Sequence, residues 1–145
     1  MIQKVVDKLF LVKKIVSKQG VVHFRRWRLL QTPLFAIYIH NVAKSDDDKH
    51  MHDHPWWFAA LILKGGYIEQ VWNKRDGETT HLRLPGALVC HKITDFHIIE
   101  LLHGPSWSIV LTGPRTHSLW GYHTRNGWMD HITYRKMKNA NVYIY

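Results

Sequence analysis

The chain has 145 residues, a formal net charge of +9, and 12 histidines against one cysteine, Cys90. That length suits one domain with a real core, and 46% hydrophobic with 21% charged residues is an ordinary globular composition, which excludes disorder of the whole. A single cysteine excludes a disulfide framework and a cysteine-rich zinc module, so any metal must be held by imidazole and carboxylate.

Residues 3–18 read as one amphipathic helix. Val5, Leu9, Val12 and Val16 recur at helical spacing with lysines between them, and Gly20 stands where a helix would end. The same lysines interrupt any apolar leader. No stretch approaches the roughly 18 apolar residues of a membrane span, so a cytoplasmic protein without membrane contact is expected.

The signals then turn to strands. Residues 21–30 mix apolar and basic side chains, 34–42 are rich in β-branched and aromatic ones, and 56–63 are nearly all apolar. Further strands are expected over 67–72, 79–84, 87–91, 96–102, 107–112 and 117–122, with a hairpin loop at 73–77 and Pro-Gly, His-Gly-Pro and Gly-Pro breaks between them. Many short strands with regular turns imply an all-β barrel or sandwich. In the 34–42 strand, Tyr38 and His40 share one face, opposite Phe35, Ile37 and Ile39. If that polar face lines a cavity, both are catalytic candidates.

The densest chemistry is His50-Met51-His52-Asp53-His54-Pro55-Trp56-Trp57. In extended chain, residues two apart point to one face, so His52 and His54 project together and can grip one ion. A third ligand must come from another strand. Downstream, Gly113-Pro114 breaks a strand and leaves Arg115 and His117 at a barrel mouth. Trp120, Tyr122 and Trp128 read as a packed flap, with a stacking platform as the alternative.

These residues resemble the cupins. His52-x-His54, the apolar strand and Gly66 follow the first cupin motif, and Pro85-Gly86 opens the second, whose histidine falls on His97. The resemblance covers about residues 45–112 and implies a double-stranded β-helix (jelly-roll) barrel, here with a short N-terminal helix. It divides one domain into a helix over 1–19, a barrel over 20–123 and a C-terminal flap over 124–145. Two departures stand out. Asp46 replaces the motif's leading glycine, and the motif's glutamate ligand falls on Ala59. The implied ligand set is therefore His52, His54 and His97, with Glu69 on the next strand as the candidate extra carboxylate.

Three neutral imidazoles with open positions suit one divalent ion, Fe(II) first, with zinc, nickel, copper or manganese as alternatives. A three-histidine cupin resembles the thiol dioxygenases, in which an upstream arginine holds the substrate carboxylate. Arg26 is the counterpart, with Arg25 and Arg28 beside it, while the family's downstream tyrosine has none near Trp107. The tail is similar to that of small cupins of bacteria and bacteriophages. Arg115, His117 and Trp57 complete the expected substrate contacts.

The expectation is a dioxygenase-type metalloenzyme acting on a small anionic substrate drawn in by the positive charge. A phosphodiesterase for a nucleotide or cyclic nucleotide is the alternative, although only His131-Ile-Thr133 fits the two-histidine pattern. A sugar-nucleotide isomerase or epimerase and a non-catalytic ligand-binding cupin are the others. A homodimer is expected. Nucleic acid is not, because the basic residues are dispersed and no nucleic-acid-binding motif is present.

Overall fold

The structure, a computed structural model, describes residues 2–116 and 119–144. Helix α1 (Ile2–Phe10) leads directly into strand β1 (Leu11–Val16), followed by β2 (Val22–Gln31), β3 (Ala36–Val42), β4 (Phe58–Lys64), β5 (Tyr67–Asn73) and β6 (Gly77–Arg83). Then come β7 (Leu88–His91), β8 (Phe96–Leu101), β9 (Ser106–Thr112), the hairpin strands β10 (Gly121–Thr124) and β11 (Gly127–Asp130), and helix α2 (His131–Asn139). No helix among the described residues is long and apolar enough to cross a membrane.

The N-terminal helix is thus half the expected length. Leu11–Val16 instead pairs antiparallel with β2, Lys13 opposite Arg26 and Lys14 opposite Arg25. Tertiary pairing overrides a helical spacing that weak propensity could not hold, since this stretch is rich in β-branched residues.

Two antiparallel sheets face each other. One has six strands in the order β1-β2-β3-β9-β4-β7, and the other three in the order β6-β5-β8. Ala60, Ile62, Tyr67, Val89 and Val110 form the buried core between them. The β4–β5 turn needs Gly65 and Gly66 because both have positive φ, and a Cβ on either would strike a backbone carbonyl, that of Pro105 or of Arg83.

Alternation along the strands decides which residues enter the barrel. On β3 and β2, His40 lies opposite Arg26 and Tyr38 opposite Arg28, on the inward face. On β4, Phe58, Ala60 and Ile62 turn inward while Ala59, Leu61 and Leu63 turn out. The last segment closes one end. The N-cap Asp130 accepts hydrogen bonds from the backbone of Ile132 and Thr133, starting α2, which buries Tyr134.

Candidate metal centre

The ligand segment 50–54 is not part of a long strand. His52 makes isolated bridges to His97 on one side and Tyr122 on the other. The amide N–H of each of His52 and His97 donates to the other's carbonyl at 2.9 Å. Asp53, of opposite parity and buried, accepts from the Gly121 amide at 2.7 Å and the Trp128 indole at 2.9 Å. Pro55 accepts through its carbonyl from the Thr116 amide and hydroxyl. Asp46, standing where the motif has glycine, accepts from the Ile99 amide at 2.8 Å. These ties hold the segment across the barrel end.

His52, His54 and His97 then converge. Their ring centroids are 5.2, 4.8 and 5.1 Å apart pairwise, and donor atoms of all three lie within 4.8 Å of one another. The Nε2 atoms of His54 and His97 are 2.9 Å apart. Two nitrogens bound to one ion at roughly 2.1 Å, at right angles, stand about 3 Å apart, so the spacing fits a shared divalent cation. Burial first, then the neighbouring cationic groups, hold His52 and His54 well below ordinary histidine basicity. Both are therefore neutral near pH 7, as metal ligation requires.

Glu69 supports this trio from behind. It is fully buried, and its Oε1 accepts from His97 Nδ1 and His91 Nε2, each at 2.7 Å, while Oε2 accepts from Arg83 Nε at 2.8 Å. Burial pushes the Glu69 carboxyl up, but the hydrogen bonds from His91 and His97 outweigh it and hold the group well below the usual carboxylate range. A proton fixed on His97 Nδ1 leaves Nε2 free for an ion. Glu69, His91 and His97 also group as donors. In that group Glu69 already accepts three hydrogen bonds, one of them from Arg83, so the three histidines are the better site. Glu69, expected as an extra carboxylate ligand, is hydrogen-bonded to His97 Nδ1 and so orients that imidazole.

Two neighbouring-residue assignments change as well. Ala59 turns outward, and the inward residue at the motif's glutamate position is Phe58, its ring 5.0 Å from that of His54 and 5.8 Å from that of His97. Trp57, expected to touch substrate, packs its indole over Gly113, where no Cβ would fit. Trp56 is the tryptophan on the site side, stacked 6.5 Å from His54.

Beside His54 lies Arg26. Its Nε–H donates to His40 Nε2 at 2.9 Å, and its guanidinium lies over the rings of Phe24, Tyr38 and Trp56 at 5.6, 5.0 and 5.6 Å. Arg115 lies over the same Trp56 ring at 5.5 Å. Burial, then the charges of Arg26 and Lys13, depress the His40 imidazole well below its ordinary range. Tyr38, His40, Arg26 and Arg115 are thus brought together, and His117 lies outside the described residues.

Trp120 and Tyr122, read from the sequence as a packed flap or stacking platform, lie beside the trio, whereas His91 and Arg83 carried no sequence signal. Trp120 sits 5.8 Å from His52 and stacks on His131 at 4.5 Å. Tyr122 stacks on Tyr134 at 3.7 Å and donates its hydroxyl to Asp48. His91 and Arg83 show themselves only through the inward parity of β6 and β7.

No family model matches the chain, and no curated protein does. Solved structures match its shape. The iron(II) form of HppE aligns over 69% of this chain and 54% of its own, with TM-score 0.56 and 17% identity. The fold is that of a cupin. Hydroxypropylphosphonic acid epoxidase from S. wedmorenis aligns with TM-score 0.52, 16% identity, and 69% and 55% coverage. The DMSP lyase DddQ from Ruegeria pomeroyi gives TM-score 0.51, 16% identity, and 77% and 50% coverage. The chain spans about half the length of these cupins. At such identities the likeness is one of fold, and the chemistry rests on the residues above.

Proposed function

We propose that this cupin is a metal-dependent enzyme acting on a small anionic substrate, with Fe(II) held by His52, His54 and His97 and dioxygen as co-substrate. The observation that carries the reading is a cation beside an all-histidine trio. Arg26 is part-buried, hydrogen-bonded to a neutral imidazole and, among the described residues, paired with no carboxylate, next to His54. A guanidinium partly withdrawn from water without an acid partner is costly unless a ligand supplies the charge.

A ferrous ion supplies, when bound, the redox chemistry that activates dioxygen. The protein's own residues do the rest. Arg26 receives the anionic group through whichever guanidinium N–H groups face the cavity. His40 accepts the Arg26 Nε–H and so fixes the plane of the fork, while Tyr38 and Trp56 hold it by ring contact. Phe58 and Trp56 exclude water from the histidines. The solved neighbours are named for an epoxidase of a phosphonic acid and for lyases, which supports a scaffold suited to small charged substrates.

The test is anaerobic loading with iron, then oxygen uptake with a panel of small thiol carboxylates and hydroxyphosphonates. Iron near one per chain and iron-dependent uptake with at least one panel member is expected, with KM raised in Arg26→Gln. A full iron complement with no uptake across the panel would overturn the oxygenase reading.

A further inference from the structure

The positive charge is concentrated at the start of the chain. The first 43 residues hold eight of the 20 Lys and Arg but only one of the 11 Asp and Glu, Asp7. That acid is turned toward the sheet, where it accepts from the Trp27 indole at 2.8 Å. Helix α1 is thus docked through its one carboxylate. Among the described side chains of α1, Asp7 alone is half-buried and the rest are exposed. Ile2, Val5 and Leu9, on the side of the helix away from Asp7, are 79%, 53% and 68% exposed. Lys4 and Lys8, one turn apart, flank that stripe. A surface helix ordinarily buries its apolar stripe and shows its polar face, and here the order is reversed.

The adjoining end of the sheet has the same character. Strand β1 starts at Leu11 opposite Trp27, so β2 runs on past that pair at the end where α1 sits. There Leu29 and Leu30, with Leu34 in the turn to β3, are exposed, and so is Arg28. Exposed aliphatic side chains and unopposed cations therefore share one end of the molecule.

We propose that this end docks on an anionic phospholipid bilayer. Helix α1 lies in the interface with Ile2, Val5 and Leu9 toward the acyl chains and Lys4 and Lys8 at the headgroups. The expectation of no membrane contact drew on the lack of a spanning segment, which interfacial docking does not need. The side chains select this occupant over others. Nucleic acid would use the cations but leave the aliphatic stripe in water, and the stripe holds no aromatic ring on which a base could stack. A second copy of this chain would bring two arms of the same charge together. A bilayer takes the aliphatic chains and the lysines at once and demands no matching shape. A lysine at an anionic surface multiplies binding by about fivefold, and an aliphatic side chain moved out of water adds a comparable factor.

Flotation of the full chain with vesicles of phosphatidylcholine alone, or with about 30% phosphatidylglycerol, at about 0.1 M salt tests this. The anionic vesicles are expected to bind about tenfold or more tightly than the neutral ones, and Lys4→Gln with Lys8→Gln should remove most of that preference. Val5→Gln with Leu9→Gln should weaken binding to the anionic vesicles by about tenfold or more, with thermal melting unchanged because both side chains are exposed. Val5→Met with Leu9→Met should keep the binding. A wild type that ignores anionic vesicles, or binding that survives Val5→Gln with Leu9→Gln, overturns the proposal. A dimer that this pair of substitutions turns into a monomer in light scattering overturns it too, since a second copy then covers the stripe. Vesicle and DNA-duplex binding that fall together in the lysine variant, and that the apolar variant leaves untouched, mark a general polyanion surface and overturn it as well.

Discussion

Replacing Glu69 by glutamine keeps the side chain's shape and removes its charge. Glu69 accepts three hydrogen bonds of 2.7, 2.7 and 2.8 Å, all from donors on His91, His97 and Arg83. Glutamine can accept with one oxygen only, so its amide N–H groups must face at least one of those donors. Arg83 also loses its counter-charge. Breaking a buried pair in this way costs about 3–5 kcal/mol, or roughly 6–20 °C in Tm for a chain of this size. Loss of the carboxylate that orients a ligating histidine costs about 10–100-fold in metal affinity. Thermal melts of the metal-free protein read the first quantity, and competition with a chromophoric chelator reads the second. Arg83→Gln separates them. It should lower Tm while leaving metal affinity within about threefold, because the His97–Glu69 bond survives. Wild-type metal affinity in Glu69→Gln would refute the argument that this carboxylate sets the His97 tautomer.

Phe58→Glu should tighten metal binding by about tenfold in the chelator competition, since a carboxylate there reaches the histidines, while Ala59→Glu on the outward face should leave it within about twofold; equal effects would place the motif's glutamate position wrongly. Asp53→Ala should cost about 2–4 kcal/mol in urea unfolding by orphaning the Gly121 and Trp128 donors, and should weaken metal binding because the ligand segment loses its anchor. The metal-free protein should lose stability as pH falls below about 6.5. Burial, reinforced by neighbouring charge, depresses His40, His52 and His54 in the folded state, so the unfolded chain binds more protons and stability rises with pH. The slope approaches about 4 kcal/mol per pH unit below about pH 5.5. A urea midpoint that stays flat between about pH 7.5 and 5.5 would contradict this.

Strand content and the histidine pair were legible because both rest on a period of two. What was not legible is strand phase. A one-residue offset sends a side chain to the other face, and three pairs of neighbours turn on it. Trp56 faces the histidines while Trp57 covers Gly113. Phe58 points in while Ala59 points out. Arg26 meets His40 while Arg25 lies opposite Asn41 on the outer face. The His52–His97 bridge and the β5–β8 register that puts Glu69 behind His97 are long-range pairings, which no local pattern encodes. Helical spacing misled for Leu11–Val16 because the hairpin with β2, Val16 opposite Val22, outweighs a helical spacing built on β-branched residues.

Three neutral ligands leave the full charge of a divalent ion in place, and Arg26 and Lys13 stand on the same side of the barrel. At about 10 Å and an effective dielectric near 20, each cation opposes the doubly charged ion by about 3 kcal/mol before screening by solvent and salt. An anion seated on Arg26 cancels that opposition, so metal and anion must raise each other's affinity by the same factor. Chelator competition with and without saturating succinate should show metal affinity about tenfold higher with the anion. Arg26→Gln should bind metal more tightly than the wild type when no anion is present, and should lose most of the response to succinate. A carboxylate among the ligands would have halved the ion's charge and much of this coupling, so its replacement by Phe58 makes the anion part of the metal site's charge balance. Wild-type metal affinity that ignores the anion would show that Arg26 is too well screened to act on the histidines at all.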